Sequence, residues 1–282
     1  MTMLHEHKVQ LFYDNARHCY EAIMGEYWHH ADPEAAAAGL PRSRACQILE
    51  ERVVALCGIE RGHRVLDWGS GIGGPTMHMA RVTGASFVGV CNNDRLTQQA
   101  RNRAGERGLS AQVSFRTLGD TEYKNLPFED ASFDAATFME SVCHVPDKAA
   151  LFREIFRVLK PGSRLGGMDW VQRAFGEHQS HEQIMRFIGP VNELVAMPAL
   201  GSVEEYASLM EQAGFRMAVA KDLVPGAKCW GVVQDNENPQ WLGYDGPEAQ
   251  MFVDGEKALV AAREAGVFSI GMWVAVKPTK LG

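Results

Sequence analysis

The feature that most constrains the fold is the run Val65-Leu66-Asp67-Trp68-Gly69-Ser70-Gly71-Ile72-Gly73-Gly74. Four glycines follow a short apolar segment and precede a helical pattern, so the backbone can turn sharply and approach a ligand with no β-carbon in the way. A strand, a glycine-rich turn and a helix in that order open a parallel α/β sheet and place a ligand at the strand's carboxyl end. The pattern GxGxxG is present as Gly69, Gly71 and Gly74. It serves more than one kind of nucleoside ligand, so its neighbours must decide between them.

Around that turn the sequence alternates short apolar runs with helical periods, which implies a sheet wrapped by helices. Strands are expected at 63–69, 85–91, 112–118, 133–140 and 164–170, with helices over 76–83 and 151–160, the latter stopped by Pro161 and Gly162. A helix over 206–215 and strands at 216–223 and 268–276 complete an α/β fold, doubly wound on a mostly parallel seven-stranded sheet. Residues 1–58 are helical in period and carry Tyr13, Tyr20, Tyr27 and Trp28, which reads as a lid; 173–205 reads as an inserted cap. The division expected is therefore a lid at 1–58, a ligand-binding core at 59–172, a cap at 173–205 and the rest of the core at 206–282. The length of 282 residues suits roughly two domains, or one large domain with an insertion.

Charge narrows the partners. Lys plus Arg number 28 against 35 Asp plus Glu, a net charge of −7, which repels a nucleic-acid backbone and gives an anionic membrane surface no basic patch to hold. No 18-residue apolar stretch is present, and Glu6 and Lys8 interrupt the start where a signal peptide needs an apolar run. A cytoplasmic protein without membrane insertion is expected. The six cysteines, at 19, 46, 57, 91, 143 and 229, lack the two-residue spacing of zinc or redox pairs and read as small buried hydrophobes.

The residues beside the turn favour a cationic ligand. Asp67, two positions before the first glycine, would repel a pyrophosphate but can hold an ammonium or lie beside a sulfonium. Where a dinucleotide site would place an acid for the ribose at the end of the second strand, this sequence has Cys91, followed by Asn92 and Asn93. Either asparagine can bond a hydroxyl, and either can equally cap the next helix. Asp120, after the third strand, can accept an amino group or cap a turn.

The ordered motifs VLDWGSGIGGP, Gly119-Asp120, LPFEDASFD at 126–134 and RVLKPGS at 157–163 resemble those of class I S-adenosylmethionine-dependent methyltransferases. The segments GVCNNDRLTQQARNRAGERGL at 89–109, FMESVCHVP at 138–146 and MDWV at 168–171 are similar to the sterol C-methyltransferases that act on the sterol's aliphatic tail. Small bacterial enzymes that C-methylate prenyl groups share the size and layout, including prenyl diphosphate methyltransferases and the teleocidin-pathway type, in which methylation also triggers terpene cyclisation. The resemblance implies S-adenosylmethionine as cofactor, held by Asp67, Gly69, Gly71, Gly73, Asn92, Asn93, Gln98 and Asp120.

It also implies a small hydrophobic prenylated or terpenoid substrate, methylated at an alkene carbon in secondary metabolism. Such chemistry needs a dry pocket, aromatic faces for the carbocation, worth about 0.5–2 kcal/mol each, and a base for the proton that is lost. Tyr13, Tyr20, Tyr27, Trp28, Phe138, Trp170 and Phe175 are the aromatic candidates for binding substrate. His144 is the first candidate for the base, with Glu140 and Asp169 as its partners or substitutes. An O- or N-methyltransferase of a small natural product would use the same residues, whereas Asp67 and Cys91 disfavour a nicotinamide enzyme. No metal is expected, since His29-His30 and the pair His178 and His181 lack a third ligand. The aromatic amphipathic N-terminal segment can also pack on a second copy, so a homo-oligomer is expected.

Overall fold

The computed structural model describes residues 5–173, 180–225 and 249–279. In sequence order it contains α1 (His5–Met24), α2 (Pro33–Ala37), α3 (Arg42–Cys57), β1 (Arg64–Trp68), α4 (Gly74–Thr83), β2 (Ser86–Cys91), α5 (Asp94–Glu106), β3 (Val113–Thr117) and β4 (Phe133–Met139). These are followed by α6 (Lys148–Val158), β5 (Leu159–Gln172), α7 (His181–Leu194), α8 (Val203–Gln212), β6 (Arg216–Asp222), α9 (Ala249–Glu264) and β7 (Phe268–Val276). Phe175 and His178 fall outside the described residues.

The sheet has seven strands in the order β3-β2-β1-β4-β5-β7-β6. Its first five strands are parallel, and β7 runs antiparallel between β5 and β6. The backbone winds outward from β1 to β3, then returns to β4 on the other side of β1. A crevice therefore opens beyond the carboxyl ends of β1 and β4, where ligands of doubly wound sheets bind.

Alternation along the strands feeds two apolar layers, as the two-residue period requires. Val65, Ala135 and Met139 pack into one layer, while Leu66, Ala136 and Phe138 pack into the other. On the first face α3 lies directly on the sheet, where a Cβ added to Gly166 of β5 would sit 2.2 Å from the Cys57 sulfur. Leu49, Val53 and Cys57 are buried there. Only α1 among the early helices reaches over the crevice.

One expected boundary shifts. The helix predicted over 151–160 ends at Val158, and β5 begins at Leu159 and pairs with Phe133 before its register breaks. Pro161 biases Lys160 away from helical angles, so the backbone becomes extended two residues earlier. Asp147 fixes the other end, its carboxylate accepting from the Ala150 amide at 2.9 Å. Among the described residues no helix is long and apolar enough to cross a membrane.

Candidate active site

The crevice forms a cavity open to solvent, with about 1070 Å³ of empty space when the solvent at its mouth is included. Its floor is the β1 end and the glycine turn, from Asp67 to Ile72. One wall is the end of β2 with Cys91 and Asn92, another the segment from Met139 to Pro146, and the roof is α1 with Glu6, Val9 and Tyr13, joined by Trp28 and His29.

The glycines divide their labour. Gly69 has φ +76° and lies so near the next wall that a Cβ would sit 2.1 Å from Ser141 Cβ. Gly73, at φ +82°, would strike Phe115 and Ala100, so its requirement is packing. Gly71, at φ +50°, has open space where its Cβ would be, and it lines the cavity. Gly71 is thus the bare stretch of backbone that the sequence pattern called for.

Asp67 is almost fully buried. Its two oxygens accept from Thr76 Oγ1 at 2.6 Å and, across the β1–β4 pair, from Thr137 Oγ1 at 2.8 Å. Burial outweighs those two bonds and raises its pKa to about 6. Glu140 shows the same pattern more strongly. It adopts φ +51° just past β4, accepts from the His30 amide and from Trp170 Nε1, both at 2.6 Å, and is pushed by burial up to about 7. Two hydrogen-bonded carboxyls with raised pKa therefore face one cavity, and each gains by ionising when a cation arrives.

Asp120 also lines the cavity, and its carboxylate accepts from Gln10 Nε2 at 2.6 Å. Asn93 does not line it. It caps α5 by accepting from Leu96 N at 3.0 Å and donates to Asp14 at 3.1 Å, which replaces the expected hydroxyl contact with a latch to α1. Gln98 is exposed and bonds Asn102, away from the cavity, because its position on α5 faces solvent. Glu21 adds to the latch by contacts with Gln99 and, at 3.2 Å, with Arg103.

His144 sits in a single 3₁₀ turn, Val142–His144, directly after β4. Its Nδ1 lies 3.2 Å from the Ala196 carbonyl and its Nε2 2.9 Å from the Tyr13 hydroxyl. A carbonyl can only accept, so Nδ1 carries the proton, Nε2 is the acceptor and Tyr13 donates. Burial lowers the imidazole to about 4, so it is neutral at pH 7, and holds the Tyr13 phenol well above its ordinary range. Asp169 does not reach the cavity. Fully buried, it accepts from the amides of Ser141, Val142 and Cys143 at 3.2, 2.7 and 3.0 Å and so builds the turn that presents His144. The catalytic expectation for Asp169 is thereby corrected to a positioning role.

The aromatic candidates separate likewise. Tyr13 and Trp28 line the cavity with nearly parallel rings 6.3 Å apart, and Tyr20 packs behind them, 5.3 Å from Trp28. Trp170 stands behind Glu140. Tyr27 turns away to bond Gln47 and fill a separate small core, and Phe138 is fully buried beside Trp273 on the sheet's other side. The one-residue step along β4 that sends Met139 toward the cavity sends Phe138 away from it.

Sequence reading missed one pair. His29 lines the cavity and bonds the fully buried Glu50 at 2.8 Å, with burial lowering the histidine to about 4 and raising the carboxyl well above its usual range. The signal was present: Glu50 lies inside the apolar stripe Cys46, Leu49, Val53, Val54 and Cys57 of α3, where an acid must find a partner.

Comparison with known proteins agrees with this geometry. The model of a methyltransferase domain family matches residues 66–166. The protein is 32% identical over 223 residues to 24-methylenesterol C-methyltransferase 2 of Oryza sativa subsp. japonica, covering 79% of its own length and 60% of that relative. It is 31% identical over 215 residues to the methyltransferase GfsG of Streptomyces halstedii, covering 75% and 74%. It thus spans about 60% of the length of the sterol relative. Among solved structures, the [4+2]-cyclase SpnF superposes with a TM-score of 0.78 at 23% identity, over 98% of this protein and 97% of that one. Geranyl diphosphate C-methyltransferase from Streptomyces coelicolor A3(2) superposes with a TM-score of 0.73 at 20% identity, over 98% of each. At those identities the superpositions speak for the fold.

Proposed function

The protein belongs to the class I S-adenosylmethionine-dependent methyltransferases, and from that premise we propose that it methylates an alkene carbon in the aliphatic tail of a prenylated or terpenoid small molecule. The residues present fit the cofactor. Gly71 leaves a space that a Cβ would occupy, Asp67 and Glu140 offer carboxyls to a cationic ligand, and Asn92 and Asp120 offer an amide and a carboxylate to a nucleoside. When bound, S-adenosylmethionine supplies a methyl group on a positively charged sulfur.

The observation that carries the reading is the aromatic pair Tyr13 and Trp28 closed over the cavity, with the Tyr13 hydroxyl on His144. An alkene is a weak nucleophile that must be held in line and dry. The roof helix sets the Tyr13 ring over the cavity beside Trp28, where the two rings would face the carbon that becomes cationic on methylation. The proton then leaves the carbon beside the cationic centre for Tyr13 Oη, while the phenolic proton passes to His144 Nε2. A base lowered to about 4 suffices, because a carbon next to a cationic centre is strongly acidic.

A hydroxyl acceptor would have to give up its proton to His144, and an imidazole lowered to about 4 is a weak base for that step, which supports attack by carbon over attack by oxygen. Incubation of prenylated metabolites with methyl-labelled cofactor tests this. The label is expected on a former alkene carbon, and label on oxygen or nitrogen overturns the reading.

A further inference from the structure

A polar stripe on α3, outside the cavity, grips the segment that joins the roof helix to the rest of the protein. Arg42, Cys46 and Glu50 stand four residues apart and so share one face of the helix. Arg42 donates to the carbonyls of Met24, Tyr27 and His29 at 3.3, 2.9 and 2.8 Å, and the Cys46 thiol lies 3.6 Å from the His29 carbonyl. Glu50 Oε1 lies 2.8 Å from His29 Nε2. The segment held in this way carries two groups of the site: the Trp28 ring, which lines the cavity, and the His30 amide, which donates to Glu140 at 2.6 Å.

The hydrogen bonds locate the proton that Glu50 and His29 share. His29 Nδ1 lies 2.7 Å from the His30 carbonyl, which can only accept, so Nδ1 carries a proton. A neutral imidazole then has a bare Nε2, and the bond to Glu50 must take its hydrogen from the carboxyl. The charged alternative, imidazolium against carboxylate, would strand an anionic oxygen, because the fully buried Glu50 has no hydrogen-bond partner for Oε2 among the described residues. His78 Nε2 is 4.0 Å from that oxygen but gives its hydrogen to Glu51 at 3.3 Å, since its Nδ1 accepts from Arg81 at 3.4 Å.

The charged neighbours act on both groups. Glu26, Glu51 and Asp67 oppose a negative charge on Glu50, while Glu140 and Asp67 draw a proton toward His29 and Arg42 repels it. Burial outweighs these, lowering the imidazole to about 4 and raising the carboxyl well above its usual range. We propose that Glu50 is a positioning residue that works as a protonated acid: it donates a hydrogen bond to His29 Nε2, and that bond sets residues 28–30 so that the His30 amide meets Glu140 and the Trp28 ring meets the cavity. The neutral His29 also leaves Asp67 and Glu140 uncompensated for a cationic ligand. The role depends on the cavity holding the cofactor and is the same whichever atom of the acceptor is methylated.

Nitrogen magnetic resonance of the full-length protein with isotope-labelled histidine, the His29 ring assigned from its backbone resonances, tests the proton's place at pH 7. Nδ1 is expected to be protonated and Nε2 bare; both nitrogens protonated overturn the inference. Calorimetry with S-adenosylmethionine tests the positioning. Glu50→Ala, with far-ultraviolet circular dichroism unchanged, is expected to weaken binding about fivefold or more. Glu50→Gln, whose amide can give Nε2 the same hydrogen bond without a titratable proton, is expected to restore it to within about twofold of the parent. Unchanged affinity in Glu50→Ala, or Glu50→Gln binding about tenfold or more weakly than the parent, overturns the inference. Should Glu50→Ala fail to fold, the spectrum and Glu50→Gln decide by the same outcomes. A parent that binds no S-adenosylmethionine overturns the assignment of the cavity to the cofactor and the positioning role with it.

Discussion

Exchanging two glycines of one turn for alanine separates folding from binding. At Gly69 the φ of +76° and a Cβ 2.1 Å from Ser141 Cβ and 2.5 Å from Ser141 Oγ combine left-handed strain of about 1–2 kcal/mol with overpacking of about 1–3 kcal/mol. Gly69→Ala should therefore lose about 2–5 kcal/mol of stability, a fall in Tm on the order of 10 °C for a domain of this size. At Gly71 the φ of +50° falls in the left-handed well and nothing lies within 4 Å of the added carbon, so Gly71→Ala should cost only about 1–2 kcal/mol. That methyl projects into the cavity, however, and a clash of about 1–3 kcal/mol with a bound nucleoside weakens affinity roughly 5- to 150-fold. Thermal unfolding and isothermal titration with S-adenosylhomocysteine read the two effects independently. Gly71→Ala binding S-adenosylhomocysteine as tightly as the parent would refute the assignment of this turn as the cofactor's cradle.

Asp67→Ala should abolish binding of S-adenosylmethionine by calorimetry, with far-ultraviolet circular dichroism unchanged. His144→Ala and Tyr13→Phe should each slow turnover or change the product mixture, by roughly 5- to 100-fold if one buried hydrogen bond of about 1–2.7 kcal/mol is lost in the transition state, while S-adenosylhomocysteine affinity stays near that of the parent. The affinity ratio of S-adenosylmethionine to S-adenosylhomocysteine should rise between about pH 5 and pH 8, because Asp67 and Glu140, raised to about 6 and about 7, ionise over that window and only the first ligand carries the sulfonium charge. Folded-state stability moves the other way. These carboxyls hold protons more tightly folded than unfolded, so their contribution is full below about pH 4 and is lost as pH rises through about 6 to 7. Melting curves of the free protein are expected to register that loss, with the opposite contribution of His29 and His144, lowered to about 4, full above 6.5 and lost as pH falls.

Much of this protein was legible in the order of its residues. A strand period of two and a helix period of 3.6 are local properties, so the strands at 64–68, 86–91, 113–117 and 216–222 emerge within a residue or two of the expected positions. The glycine turn after β1 and the acid before it are local as well, and both stand at the cavity floor. A cationic ligand could therefore be inferred from Asp67 before any coordinates.

Which residues share the cavity is a different kind of fact, since it depends on contacts between positions far apart in the sequence. Nothing near Tyr13 specifies that its hydroxyl meets His144, 131 positions away. The register of β1 against β4 decides that Thr137 joins Thr76 in holding Asp67. Phe138 was expected among the aromatic residues that bind substrate, yet the pleat turns it into the apolar layer on the other face of the sheet, while Met139 and Glu140 line the cavity. Asp169 resembles a catalytic acid in sequence, and only the path of the 141–143 backbone around it makes it a scaffold. Sequence alone determined the periodic elements and the glycine turn with an acid before it, because short-range sterics suffice for those. Tertiary packing decided the membership of the site, because burial and hydrogen-bond partners are set by segments that meet only once the sheet has formed.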